Sequence, residues 1–287
     1  MVVLSMVEWS AMKNLQGRTA IVTGAGRGVG LATARRLAAA GAQVVANDLD
    51  AGEAAAAAEA ISAAGGSAIS AAGDVTARDF PERLIDTALS AYGGIDIVVN
   101  NAGYIWNGAL HNHSDEQWQA MLDVHATAPF RILRALAPWL RQTAKREIAE
   151  QGQARCRKIV NVSSVSGTTG AATQIAYSAG KAAVLGITKT LAKEWGRYNV
   201  TVNCVALGHI ATRLTQTYTG EAPTIDVGGR QHRVGLTENQ IRGVAAAAAL
   251  GRSGQPEDGA GAIYLFCIPE SDFITGEVLT CSGGVAL

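Results

Sequence analysis

Tyr177 and Lys181 stand four residues apart in the stretch YSAGK. On a helix that spacing puts a phenol and an ammonium on one face, within reach of one substrate. A second set of residues, TGAGRGVG at 23–30, follows the apolar run Thr19 to Val22. A strand that turns through glycines into a helix presents bare backbone N–H groups to a pyrophosphate, so Gly24, Ala25, Gly26, Arg27, Gly28, Val29 and Gly30 are candidate nucleotide contacts. A nucleotide binder with a tyrosine and a lysine on one helix face suggests proton-coupled hydride transfer. Hydride leaves a secondary alcohol only as its hydroxyl proton is removed, and Tyr177 is the candidate base, acting as acid in the reductive direction. Free tyrosine titrates near about 10, so bringing it close to neutrality asks for roughly three units, or ~4 kcal/mol. One ammonium at about 4 Å in an effective dielectric of ~20 supplies that much, and Lys181 is the group to do it. The plain alternatives are an ordinary glycine turn and a solvated helical pair.

The elements that must position these groups form an alternation. Apolar runs rich in Val and Ile, suited to strands covered on both faces, occur at Thr19 to Val22, Gln43 to Ala46, Ser67 to Ala71, Ile95 to Asn100, Lys158 to Val162, Val200 to Val205 and Val278 to Cys281. Between them lie helical stretches at Leu31 to Ala40, Ala51 to Ala64, Pro81 to Tyr92, Glu116 to Glu150, Ile175 to Tyr198 and Pro256 to Phe266. The Ala runs at 54–58 and 245–249 are read as helix too, alanine being the best helix former. The alternation predicts an α/β fold, a doubly wound parallel sheet flanked by helices, with ligands at the carboxyl ends of the strands.

A chain of 287 residues with no Pro-rich, Ser-rich or charge-block linker fits a single domain over residues 15–287. Residues 1–14 are expected to be a flexible N-terminal extension. Their apolar run is too short for a signal or membrane segment, and no basic region precedes it. Lys plus Arg and Asp plus Glu both total 24, a formal charge of zero that advertises neither nucleic acid nor a membrane as a partner. Cys156, Cys204, Cys267 and Cys281 are far apart with no C-x-x-C, which argues against a disulfide framework or zinc site and for a reduced, cytoplasmic protein. His111 and His113 have no third ligand close in sequence, and no metal is expected.

Asp48 ends the second apolar run 24 residues after Gly24, about where an acidic side chain meets the adenosine ribose hydroxyls. A carboxylate there repels a 2′-phosphate and favours NAD over NADP; the alternative is a helix N-cap before Ala51. Arg27 pulls the other way, since a guanidinium in this loop could reach a phosphate.

T-G-x-x-x-G-x-G, N-N-A-G at 100–103 where the fourth strand ends, and Y-x-x-x-K occur in this order between about Leu15 and the C-terminus. Together they resemble the single-domain, 3-oxoacyl reductase-like branch of the short-chain dehydrogenase/reductase family. The resemblance implies a Rossmann-like sheet, a nicotinamide cofactor and a homotetramer built from the two long helices. It implies Ser164, the usual thirteen residues before Tyr177, as the donor that holds the substrate oxygen against the phenol. It also implies that Asp74 and Val75 frame the adenine and that Asn101, with Ala102 and Gly103, lies by the adenosine and ribose. Ile210 and Thr212 would contact the nicotinamide carboxamide, and Tyr177 with Lys181 the nicotinamide ribose.

The sequence departs from that family pattern in three places. His125, in MLDVHATAPF, stands where most members have an asparagine that helps hold a water linking the lysine to solvent. A histidine can donate or accept there and, near its ordinary pKa of about 6.5, add pH sensitivity; or it packs with no role. Leu207 replaces the proline before Gly208, which frees one φ and would loosen the nicotinamide loop, with His209 expected to face solvent. Arg141 to Lys158 is polar and reads as an extended solvated helix end, with Arg146 and Glu150 spaced to pair.

Residues 213–250 fill the interval of the family's mobile substrate lid, where Arg230 and Arg233 either meet the phosphates of a CoA or carrier-protein arm or are simply solvated. The function expected is an NAD(H)-dependent oxidoreductase that interconverts a secondary alcohol and a ketone. Its substrate would be a 3-oxoacyl or 3-hydroxyacyl thioester on CoA or acyl-carrier protein. A dehydrogenase of a steroid, polyol or other small alcohol is the alternative, and a catalytically silent NAD-binding regulator is the alternative of another class.

Overall fold

The runs of Val and Ile without alternation become strands that are buried on both faces. The computed structural model describes residues 13–227 and 229–285. Of the extension expected at 1–14, residues 1–12 lie outside that range, and Asn14 accepts a hydrogen bond from the Tyr264 hydroxyl at 2.9 Å. Along the chain run β1 (Thr19–Val22), α1 (Gly28–Ala39), β2 (Gln43–Asp48), α2 (Ala51–Ala63), β3 (Ser67–Ala72), α3 (Phe80–Tyr92), β4 (Ile97–Asn100), α4 (Asp115–Leu122), α5 (Ala128–Gln151) and β5 (Arg157–Ser164). There follow α6 (Val165–Thr169), α7 (Ile175–Trp195), β6 (Val200–Leu207), the short strands β7 (Thr217–Tyr218), β8 (Thr224–Val227), β9 (Arg230–Arg233) and β10 (Leu236–Thr237), then α8 (Glu238–Ala247), α9 (Pro256–Leu265) and β11 (Val278–Cys281).

Seven strands form one sheet in the order β11-β6-β5-β4-β1-β2-β3, every pairing parallel. This is the Rossmann-like, doubly wound arrangement that the alternation predicts. Its order reverses between β1 and β4, so the crevice at their carboxyl ends is where such a sheet receives ligands. Helices α3, α5 and α7 cover one face, over a core that includes Leu84, Ile132, Leu136 and Leu140. Helices α1, α2 and α9 cover the other, around Leu37, Ile61 and Ile263. Each such side chain stabilises the fold by ~1.5–3 kcal/mol through its burial, which makes the sheet a firm platform for its loops.

Five features differ from the sequence expectations. The helix expected from Glu116 to Glu150 is broken by a π-turn over Asp123–Thr127 that carries His125; such wide turns recur at functional sites. The stretch 141–158 is not one solvated helix end. Gly152, at φ +83°, stops α5, and Arg157 and Lys158 are buried at the head of β5, paired with Glu147 and Asp272 at 2.6 Å each. The second Ala run leaves helix at Ala247, since α8 ends there. Leu207 does not loosen its loop: it continues β6, registered between Ser164 and Cys281, in a ladder where a proline would have no N–H to give. The lid interval contains an antiparallel hairpin, β8 with β9, that apolar periodicity did not reveal.

Candidate active site

The glycine loop closes over the end of β1 by close backbone approach. Gly24 and Gly28 take positive φ, +63° and +53°, where a side chain would be strained. A Cβ on Gly30 would fall 2.0 Å from the Gly24 carbonyl oxygen, so helix α1 can approach the loop only with glycine there. Thr23 Oγ accepts from the amides of Asn101 and Ala102 at 3.0 Å each, and Asn101 Nδ2 donates to the carbonyls of Thr23 and Gly24 at 2.9 and 3.2 Å. These bonds tie the N-N-A-G corner after β4 to the glycine loop. Ala25 and Val29 are buried beneath it.

Asp48 lies at the carboxyl end of β2, its Oδ2 accepting from the Gly26 amide at 3.0 Å and its Oδ1 from the Asp50 amide. The alternative role weighed for it, capping the next helix, belongs instead to Asp50, which accepts from the Gly52 and Glu53 amides. Arg27 Nη2 binds Glu53 at 2.5 Å, with Asp50 at 3.5 Å. Asp74 closes a turn on Thr76 through its Oδ1, beside a buried Val75. Thr212 stands over the loop, its Cγ2 3.3 Å from the place of a Gly28 Cβ, and Ile210 is buried beneath it. The cradle that side chains at Gly24, Gly26 and Gly30 would fill, with a carboxylate at the ribose end, fits a dinucleotide.

Beyond the cradle, β5 ends at Ser164 and α7 carries Tyr177 and Lys181. Lys181 is 5% exposed, and its Nζ donates to the Val162 carbonyl at 2.7 Å. Ser163 donates to the Lys181 carbonyl at 2.7 Å, which pins the helix to the strand, a contact that the thirteen-residue interval from Ser164 to Tyr177 does not reveal. Ser164 Oγ accepts from the Ser166 amide at 3.1 Å, leaving its own proton to donate. Burial raises the Tyr177 phenol above its ordinary value, opposed by a hydrogen bond from Ser164. That direction differs from the expectation of a phenol drawn down by Lys181. The ammonium is itself pulled down to about 8 by burial, and it lies 5.8 Å from the centroid of the Tyr177 ring.

His125 packs edge-on against Tyr177 with ring centroids 5.0 Å apart. Its Nε2 lies 2.8 Å from the Tyr104 carbonyl, so Nε2 carries the proton, while Nδ1 is buried without a hydrogen-bond partner. A Cβ on Gly103 would lie 2.4 Å from this ring, so the last glycine of N-N-A-G makes room for His125. Burial, then the charge of Lys181, holds the imidazole well below its ordinary pKa. His125 therefore stays neutral, which goes against the first of the two alternatives weighed for it, a pH-sensitive group.

The hairpin of β8 and β9 packs against the loop that follows β4. His232 on β9 is 2% exposed and meets the rings of Tyr104 and Trp106, with centroids at 4.8 and 4.5 Å. His209, expected to face solvent, has both ring nitrogens buried without a hydrogen-bond partner and lines a cleft of about 420 Å³ with Thr212, Arg213 and Ser253. Tyr104, Trp106 and His232 escaped the sequence reading because residues 128 apart in the chain carry no joint signal. Among the described residues no group of three or more His, Cys, Asp or Glu side chains is disposed to hold a metal, and no helix is long and apolar enough to cross a membrane.

The sequence model of the short chain dehydrogenase family matches residues 18–222. The chain is 37% identical to a 3-oxoacyl-[acyl-carrier-protein] reductase of Synechocystis sp., over 96% of this chain and all of that protein. It is 36% identical to the short-chain reductase protein NovJ of Streptomyces niveus over 94% of each, and 35% identical to the 3-oxoacyl-[acyl-carrier-protein] reductase of Vibrio cholerae over 95% and 98%. A solved short-chain dehydrogenase/reductase of Serratia marcescens, a double mutant, superposes with a TM-score of 0.79 at 26% identity, over 96% of this chain and all of that one. With glycine loop, N-N-A-G corner and Y-x-x-x-K helix converging on one crevice, the chain belongs to the short-chain dehydrogenase family and is an oxidoreductase of CH–OH groups.

Proposed function

We propose that this enzyme is an NAD(H)-dependent oxidoreductase that interconverts a 3-oxoacyl and a 3-hydroxyacyl thioester, with Tyr177 as general acid and base. The observation that carries the reading is the placement of Tyr177 and buried Lys181 on one face of α7, the ammonium 5.8 Å from the centroid of the phenol ring, beside Ser164 at the end of β5. When bound, the nicotinamide supplies the hydride in reduction and, once oxidised, a positive charge. Burial keeps the phenol neutral, the form that donates a proton to a ketone oxygen. Ser164, oriented by the Ser166 amide, donates to the same oxygen and holds it against the phenol. Lys181 gives the site its cation and bonds the nicotinamide ribose together with Tyr177. His125 braces the Tyr177 ring from its edge.

Asp48 at the ribose end supports NAD over NADP, with the adenine between Asp74 and Val75 and the carboxamide on Ile210 and Thr212. The relatives named as 3-oxoacyl-[acyl-carrier-protein] reductases support a carrier thioester as substrate. A homotetramer in the cytoplasm belongs to the same reading; exposed Trp118 on α4 and Phe130 on α5 support contact between copies. One observation favours a second substrate, a ring-bearing ketone: the wall of Tyr104 and Trp106 already receives a planar imidazole, tilted on the first ring and edge-on to the second.

The test is NADH oxidation with acetoacetyl-CoA, a cyclic ketone and small diketones, repeated with NADPH. Rapid thioester turnover with NADH is the expected result. Turnover confined to cyclic ketones would replace the substrate, and NADH binding with no turnover of any ketone would replace the reading with a silent regulator.

A further inference from the structure

The ribose end of the cradle holds more charge than Asp48. Helix α2 starts at its cap Asp50 and sends Glu53 back across the glycine loop from its first turn. Glu53 Cβ stands 2.7 Å from the place of a Gly26 Cβ, and Asp48 Oδ2 also stands 2.7 Å from it. The bare face of Gly26 is thus bracketed by the Asp48 carboxylate and the stem of Glu53. Between them lies Arg27, the loop's own guanidinium, bound to Glu53 at 2.5 Å and within 3.5 Å of Asp50. Arg213, at the root of the lid, is in the field of the same charges, Arg27, Asp48, Glu53 and Asp50. Three carboxylates therefore face two guanidiniums where the adenosine ribose binds.

A guanidinium in this loop is the natural fork for a phosphate on the ribose 2′-oxygen. Here its nitrogen is already committed to a carboxylate. We propose that Glu53 is a cofactor-specificity residue that acts by position: it holds Arg27 away from the ribose 2′-position and thereby sets the enzyme against NADP. The inference rests on the reading that Asp48 faces the ribose of NAD, and adds a second device to it. Asp48 repels a 2′-phosphate directly, whereas Glu53 withholds the cation that would welcome one. The Arg27 and Glu53 side chains are 37% and 35% exposed, and an ion pair that open contributes little to folding, so its effect falls on ligand choice.

The test is equilibrium titration of NADH and NADPH, followed by nicotinamide fluorescence, on the wild type, Glu53→Gln, and the double variant Arg27→Ala/Glu53→Gln, with melting temperatures as the folding control. Glu53→Gln should tighten NADPH by about tenfold, equivalent to ~1.4 kcal/mol, and leave NADH nearly unchanged. The double variant should lose that gain, because released Arg27 is its source. Unchanged NADPH affinity in both Glu53→Gln and Glu53→Ala, each folded, would overturn the proposal, as would a gain that survives in the double variant. Glu53→Ala serves as a second release of Arg27 should the glutamine still hold it. Equal affinity of the wild type for NADH and NADPH would instead overturn the NAD preference assigned to Asp48, and the gain in Glu53→Gln is measured against the wild type either way.

Discussion

The two halves of the crevice are built on opposite plans. The cofactor cradle is made of backbone and short side chains at strand ends, and its loops are tied by Thr23, Asn101 and Asp48 at 2.9–3.2 Å. The substrate half is made of rings: His125, Tyr104, Trp106, His209 and His232, brought in by a π-turn, a strand-end loop and a lid hairpin. Several of its polar atoms, His125 Nδ1 and both ring nitrogens of His209, are buried without a hydrogen-bond partner. An unmet buried polar atom costs about 1–3 kcal/mol, so a fold keeps one where a ligand is to meet it. The cradle is fastened by internal bonds before its ligand arrives, and the ring half holds hydrogen-bonding capacity in reserve.

The sharpest way to separate the halves is Tyr177→Phe. Loss of a general acid should lower kcat by about 10²–10⁴-fold while NADH affinity, read by fluorescence titration, stays close to the wild type. An active phenylalanine variant would remove Tyr177 from proton transfer. A pair of glycine variants comes next in size. Gly30→Ala drives a methyl into the Gly24 carbonyl and should weaken NADH binding and stability together, by ~1–3 kcal/mol of overpacking. Gly103→Ala drives one into the His125 ring, and should depress kcat more than NADH affinity. Equal loss of cofactor in both would erase the boundary between the halves.

Acid tests the ring half alone. His125 is neutral in the fold, its pKa held well below the ordinary value, whereas in the unfolded chain it titrates near about 6.5. Below that pH the unfolded state binds the additional proton, so this group's contribution is present above about 6.5 and is lost as pH falls, by at most ~1.4 kcal/mol per pH unit. His125→Asn should therefore flatten the acid limb of the melting temperature compared with the wild type. Parallel limbs in the two proteins would show that His125 charges freely in the native state.

The same division decides what was legible in the sequence. Gly24, Asp48, Asn101, Tyr177 and Lys181 are few in type and fixed in spacing, because a pyrophosphate, a ribose and a helical turn have fixed dimensions. The central parallel strands were legible because burial on both faces imposes an apolar run, whereas the edge strands β3 and β11 are only partly covered. His125 was found as a departure, but its neutrality was not, since that depends on burial by the fold and on Lys181 packed from another helix. The strand character of Leu207 was missed because the residue was read against an absent proline and not against its partners Ser164 and Cys281. Glu53 was invisible for a similar reason: an acid in a first helical turn is ordinary, and only the fold turns it onto Arg27.

The smallest effect probes the latch between lid and wall. His232 is the one lid ring described between Tyr104 and Trp106, and aromatic edge contacts of this kind are worth about 0.5–1.5 kcal/mol beyond burial. His232→Ala should raise KM for the ketone by about two- to tenfold, since closure over the substrate loses that contact. NADH affinity should hold, because the glycine loop and Asp48 are fastened by bonds that do not pass through the hairpin. A fall in NADH affinity of the same size would mean that the lid bears on the cofactor, and the crevice would then be one unit closed by one hairpin. A lowered KM would mean that His232 occupies the place of the substrate itself, with the wall of Tyr104 and Trp106 as the surface that the substrate takes over.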